Sequence, residues 1–403
     1  MGAVTPFGWG IPAFTRGLFE GRTAIRPLSL FSTDGHRTRI AGEVPAGIDA
    51  ALACLPPKKR ARLSRTDGFA LAAAREATLS AHVDLAQEEA GLFLGSSTGG
   101  MLEGEGFFDD LRTRAGERLA ASRIASQQHN GPTDAVARAL GIGGPVVTLS
   151  SACSAAGMAI EAALRSLRSG ETDVALAGGA DALCQLTYAG FNSLRAVDEE
   201  PCRPFQSGRK GLSLGEGAGM LLLETEAHAR ARGARPLAEL AGAGSSCDAY
   251  HMTAPDPSGD GLALAIEKAL TDAGIGAAAV DVINAHGTAT PLNDVAEWKA
   301  LARVFGAHLG EITIMPTKSA VGHLLGACGG VEAVAALLAL ATGSLPPTPI
   351  VDEVDPECPA RLVTGAPRAI SYPATVLSVN LAFGGANVAL VFSADEPVTG
   401  SRV

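Results

Sequence analysis

Cys153 stands in SSACSAAG (150–157), a run of tiny side chains between an apolar strand-like segment at 145–149 and an alanine-rich stretch at 158–168. A helix starting at this cysteine would put its sulfur on the positive end of the helix dipole. Free backbone N–H groups there stabilise a thiolate or a developing oxyanion. Ser151, Ala152, Ser154, Ala155 and Gly157 are small enough to let a substrate approach. A free cysteine is also an ordinary small core residue, so nucleophile and packing residue both remain open on this stretch alone.

Two other stretches favour the nucleophile. NAHGTATPLND (284–294) follows the apolar run 280–283 and places His286 just past a strand end, where α/β sites form. PTKSAVGHLLGACGG (316–330) follows 312–315 and places Lys318 and His323 on the loop entering the next helix. A metal site would want HxH or HxxxH spacing or an acidic partner close by, and these histidines have neither. The segments 95–99 and 211–215 both fit GxSxG, the nucleophile elbow of α/β-hydrolases. In a chain with 49 glycines such matches arise by chance, and neither has an Asp and His downstream at strand ends.

The elements around these loops alternate. Strands are expected at 90–94, 146–149, 174–177, 220–223, 280–284, 312–315, 376–380 and 388–392. Helices are expected at 67–79, 134–140, 152–168, 261–273, 294–305 and 322–341. That order argues for an α/β fold with largely buried sheets. A small-residue helix over 153–169 ending at Gly170 is echoed by 322–342 ending at Gly343, each with a strand after it. The echo suggests two similar halves, 1–240 with the cysteine and 241–403 with the histidines.

Composition bounds the rest. At 47% hydrophobic and 18% charged, the 403 residues can bury a large core. A net charge of −10 argues against nucleic-acid binding by the whole surface. Seven cysteines without a CxxC pair form no disulfide or zinc framework and suit a reducing cytoplasm. The apolar run 331–341 is shorter than the ~20 residues a bilayer needs, so it reads as a buried helix and no membrane contact is expected.

SSACSAAG, NAHGTATP, TKSAVGHLLGACGGVEA and SVNLAFGGAN, with RPFQSGRKGLSLGEGAGMLLLE (203–224) and CDAYHMTAPDP (247–257), resemble the β-ketoacyl-acyl-carrier-protein synthases across nearly the whole chain. The resemblance implies the thiolase-like five-layer αβαβα fold and decarboxylative condensation of malonyl-carrier protein with an acyl chain. It implies Cys153, His286 and His323 as the Cys-His-His set of the elongating branch, with Lys318 beside them. Initiating synthases carry asparagine at the place of His323. Phe383 would gate the pocket and lend its backbone N–H to an oxyanion, with Gly384 and Gly385 in the same loop. Thr288 and Thr290 would bind the phosphopantetheine arm, Phe205 and Thr98 would contact substrate, and Glu332 would order the lysine–histidine loop. No cofactor is implied, since the substrates ride on the carrier's phosphopantetheine.

The implied partners are an acyl carrier protein and a second subunit, identical or related. A catalytically silent scaffold is the alternative from another class. Because carriers are acidic, docking calls for a local basic patch. Lys58, Lys59, Arg60, Arg62 and Arg65 form the densest cluster, and Arg209 and Lys210 lie in a second region the family uses.

Three departures carry expectations. Because the GAVTPFG turn begins at Gly2, either the first strand is shortened or the true start lies further upstream. Ala382, where the family has glycine, would stiffen the gate if that position needs positive φ. Thr98 and Gln127-Gln128-His129 are polar where ordinary fatty-acid synthases are apolar. If they face the acyl pocket, they favour a polar or conjugated chain and a specialised polyene or polyketide pathway.

Overall fold

The computed structural model describes residues 1–114 and 117–398. Among these, one sheet runs edge to edge through Gly8–Trp9, Gly2–Thr5, Gly217–Glu224, Val174–Asp181, Gly91–Gly95 and Val146–Leu149. A second runs through Thr313–Ile314, Val282–Asn284, Ala374–Leu381, Ala386–Ala394 and Glu239–Cys247. Val174–Asp181 is buried along its whole length, as a strand covered on both faces must be.

Two helices fill the space between the sheets. Ala155–Ser169 packs on Gly91–Gly95 and Val174–Asp181 on one side and on Glu239–Cys247 and Ala386–Ala394 on the other. Cys328–Thr342 packs on Gly217–Glu224 and on Ala374–Leu381, and the two helices touch. Arg65–Ala81 covers the outer face of the first sheet, and Asp260–Asp272, with Pro291–Phe305 against it, covers the second. The order of layers is α-β-α-β-α. Leu325–Thr342 is long and apolar enough to cross a membrane by composition, yet 94% of it is buried inside the protein as the middle layer. Both central helices end on a left-handed glycine, Gly170 and Gly343.

The differences from the expected elements have local causes. Glu239–Cys247 reads ELAGAGSSC, with no β-branched or aromatic residue, and is a strand because it pairs along Ala386–Ala394. Gly2–Thr5 is short but pairs antiparallel with Gly217–Glu224. The single helix expected over 322–341 is broken. Lys318–Val321 is one turn, Gly322 and Leu325 take positive φ, and the long helix starts only at Cys328. His323 sits in that break, its N–H donating to the Ser213 carbonyl and its own carbonyl accepting from Gly215.

Candidate active site

The strand Val146–Leu149 delivers the cysteine. Ala152 turns sharply at φ 47°, Ser154 stands at the N-cap position without a capping side-chain bond, and the first helical residue is Ala155 rather than Cys153. A left-handed non-glycine residue costs about 1–3 kcal/mol, so the surrounding contacts must hold it. Ser97 Oγ does so by donating to the Ala152 carbonyl at 3.0 Å. Cys153 is 6% exposed, and backbone N–H groups of Phe383 and of Cys153 itself point at its sulfur. The expected resting thiolate does not follow. Burial outweighs Lys318 and those N–H groups and pushes the thiol up to about 11.

The two histidines arrive from the second half. His286 follows Val282–Asn284, and its loop is clamped by the helix Pro291–Phe305. Glu297 on that helix accepts the His286 and Gly287 N–H groups at 2.6 and 2.8 Å, and Asp294 accepts Ala289 N–H. Lys318 Nζ donates to His286 Nδ1 at 3.0 Å, to the His286 carbonyl at 2.6 Å and to Glu332. Glu332 also accepts from Asn380. Burial opposes the ammonium, but Glu332 wins and keeps Lys318 charged, its pKa above the ordinary lysine range.

These contacts assign the tautomers. His286 Nδ1 accepts from Lys318, and His323 Nδ1 accepts Leu325 N–H at 3.2 Å, so in both rings the proton belongs on Nε2. Burial and then Lys318 push His323 down to about 3 and His286 well below the imidazole range, so both are neutral. Cys153 Sγ and one ring nitrogen of each histidine lie within 4.8 Å of one another. Cysteine and histidine at such spacing could hold a metal. Here each ring would first have to move its proton onto an Nδ1 that already faces a donor, so the donor set does not fit one. It fits the opposite demand, two N–H donors aimed at a developing negative oxygen.

At the mouth, the Phe383 ring stacks on Phe191 with centroids 5.4 Å apart, and Phe191 lies 6.3 Å from the His323 ring. Gly384 and Gly385 take the left-handed conformations of this turn, at φ 87° and 81°. Ala382 is not left-handed, so its Cβ brings no strain to this conformation of the turn. Thr288 and Thr290 share a hydroxyl–hydroxyl bond of 3.0 Å, and Thr290 caps the helix Pro291–Phe305.

Five expected roles are corrected. Phe205 is fully buried in the second core, beneath Gly287, where its ring packs rather than lining an open wall. Thr98 is 2% exposed and its hydroxyl donates to Asp181 at 2.8 Å, so it presents no polar group to an acyl chain. Arg65 is tied to Glu216 and lies over the Phe69 ring. Arg209, with a side chain 6% exposed, is held between Asp355 and Asp294. Lys58, Lys59, Arg62 and Lys210 are exposed, whereas Arg60 is spent on Asp49 and two carbonyls.

Glu297, Asp181, Asn380 and Phe191 were not singled out by sequence. Glu297 and Asp294 stand three apart in TPLNDVAEW, a spacing that puts both carboxylates on the face turned to the histidine loop.

Residues 1–229 match the model of the β-ketoacyl synthase N-terminal domain, and residues 237–352 that of its C-terminal domain. The chain is 38% identical over 402 residues to 3-oxoacyl-[acyl-carrier-protein] synthase 2 of Synechocystis, covering 97% of this chain and 96% of that one. It is 37% identical to nodulation protein E of Rhizobium meliloti, covering 97% of each. Among solved structures, the ishigamide ketosynthase/chain length factor superposes with a TM-score of 0.91 at 34% identity, covering 98% of this chain and 97% of that one. The five layers are thus the thiolase-like ketosynthase fold, and the chain belongs to the β-ketoacyl synthase family of condensing acyltransferases.

Proposed function

We propose that Cys153 carries an acyl group and that His286 and His323 drive its decarboxylative condensation with a malonyl unit, both substrates arriving on an acyl carrier protein. The convergence of the sulfur with two neutral imidazoles inside 4.8 Å carries this reading. Cys153 attacks the acyl thioester, and the departing pantetheine sulfur takes up its proton. The N–H groups of Cys153 and Phe383 hold the tetrahedral oxyanion. Malonyl thioester then loses carbon dioxide, and the enolate oxygen receives the two Nε2–H donors. The enolate carbon attacks the acyl-cysteine, a carbon–carbon bond forms as the carbon–sulfur bond breaks, and the released Cys153 thiolate takes a proton from water to restore the thiol.

Lys318 fixes the first imidazole, and Glu332 fixes Lys318. Thr288 and Thr290 hold the phosphopantetheine arm, while Gly384 and Gly385 keep the mouth beside the Phe383 gate free of side chains. No dissociable cofactor is required by these steps.

The carrier docks on Lys58, Lys59, Arg62 and Lys210, all exposed. Arg37 and Arg195 are further exposed arginines. They line a cavity of about 500 Å³ with His36 and Asn192, next in sequence to Phe191. The second subunit pairs along the edge strand Val146–Leu149, whose Val146 and Val147 are 43% and 37% exposed. Likeness to a ketosynthase/chain length factor supports a non-identical partner as a second reading. The chain divides near residue 240, one sheet on each side. Seven free thiols fit a cytoplasmic setting.

The test is reconstitution with acyl- and malonyl-carrier protein, read as carbon dioxide and β-ketoacyl product. Wild type should yield both and Cys153→Ala no β-ketoacyl product. Product from the alanine variant, or none from wild type, would refute the reading.

A further inference from the structure

Asp181 closes the strand Val174–Asp181 and is fully buried, yet no ion pair is formed with it among the described residues. Five donors satisfy it instead. Ser96 Oγ, Thr98 N–H and Thr98 Oγ1 each reach Oδ1 at 2.8 Å, Ser97 N–H reaches both oxygens at 3.0 Å, and Gly326 N–H reaches Oδ2 at 2.6 Å. A buried carboxylate without a cation is costly, so so complete a shell is what makes it tolerable.

The donors come from two segments that the catalytic turns depend on. Ser97 is the residue whose hydroxyl holds the left-handed Ala152, immediately before Cys153. Gly326 follows Leu325, whose N–H defines the tautomer and orientation of His323. Gly326 also leaves no room for drift, since a Cβ there would lie 2.6 Å from Asp181 Oδ2 and 2.7 Å from Ser97 Oγ. We propose that Asp181 is a positioning residue that sets the nucleophile turn and the His323 turn against each other. One arm runs through Ser97 to Cys153, the other through Gly326 and Leu325 to His323. Asp181 touches no reacting atom.

This inference rests on the roles proposed for Cys153 and His323, and its test separates the two. Acylation is read by intact mass with an acyl-pantetheine thioester, and decarboxylation by carbon dioxide release from malonyl-pantetheine. Loss of acylation in Cys153→Ala and of decarboxylation in His323→Ala upholds those roles whatever the Asp181 and Ser97 variants do. Asp181→Asn, which turns an amide donor toward donors, should lower kcat of both steps by about tenfold to a hundredfold while KM stays within about twofold. Ser97→Ala cuts one arm only. It should slow acylation by about tenfold and leave decarboxylation within about twofold. If Asp181→Asn does not fold, Ser97→Ala decides alone. Wild-type acylation by Ser97→Ala, or equal loss in both of its steps, overturns the inference, as does a folded Asp181→Asn with unchanged kcat.

Discussion

Lys318 Nζ lies 3.0 Å from His286 Nδ1, and the same ammonium is paired with Glu332. One buried charge therefore both fixes a histidine tautomer and satisfies a buried carboxylate. Lys318→Met should cost about 3–5 kcal/mol of stability, because Glu332 is left unpaired. Adding Glu332→Gln removes that charge and should restore most of the melting temperature. Decarboxylation in the double variant should stay about 100-fold down, since His286 no longer presents a fixed donor. A double variant with wild-type carbon dioxide release would show that Lys318 acts on stability alone.

The Cys153 thiol is pushed up to about 11, so near neutrality the thiolate is a minor form. Its alkylation by iodoacetamide should rise about tenfold per pH unit from 7 toward 10. Levelling off by pH 7 would mean that the resting site holds a thiolate after all.

Burial raises Glu297 from 4.5 to about 8, against two backbone donors that favour its ionised form. The folded chain thus binds this proton more tightly than the unfolded chain does. The group's stabilising contribution is complete at acid pH and is lost as pH rises from 4.5 through about 8. Chemical denaturation across that window should show wild type losing stability relative to Glu297→Gln. A constant difference would place the Glu297 pKa near its ordinary value.

The surface charges divide by burial. Lys58→Glu with Arg62→Glu should raise KM for carrier-bound substrate by about tenfold at low salt, with the effect shrinking as salt rises, and spare a pantetheine thioester. Arg65→Glu and Arg209→Glu should instead lower the melting temperature, because Glu216 and Asp294 lose their partners. Steady-state kinetics and thermal melts separate the two outcomes. Equal KM effects for all four residues would contradict the division.

Cys153, His286, Lys318 and His323 were legible because each stands in a strand-exit loop of small residues, a local signal. The alternation of elements was legible for the same reason. What escaped depends on contacts distant in sequence. Glu239–Cys247 has no strand propensity of its own and takes its conformation from pairing with Ala386–Ala394. Thr98 reads in sequence as a polar pocket wall, but Asp181, 83 residues away, takes its hydroxyl. With it goes the argument from Thr98 for a polar acyl chain. Arg65 and Arg209 read as free charge because their acidic partners are 151 and 146 residues off in sequence.

The most direct test of the central claim is the mass of the intact protein during one catalytic cycle. Acyl-carrier protein should add one acyl group at Cys153, and malonyl-carrier protein should then discharge it as β-ketoacyl product. His286→Ala and His323→Ala should load the acyl group but discharge it about 100-fold more slowly. If either variant discharges at the wild-type rate, or if Cys153→Ala still gains the acyl mass, the assignment of nucleophile and enolate donors is wrong.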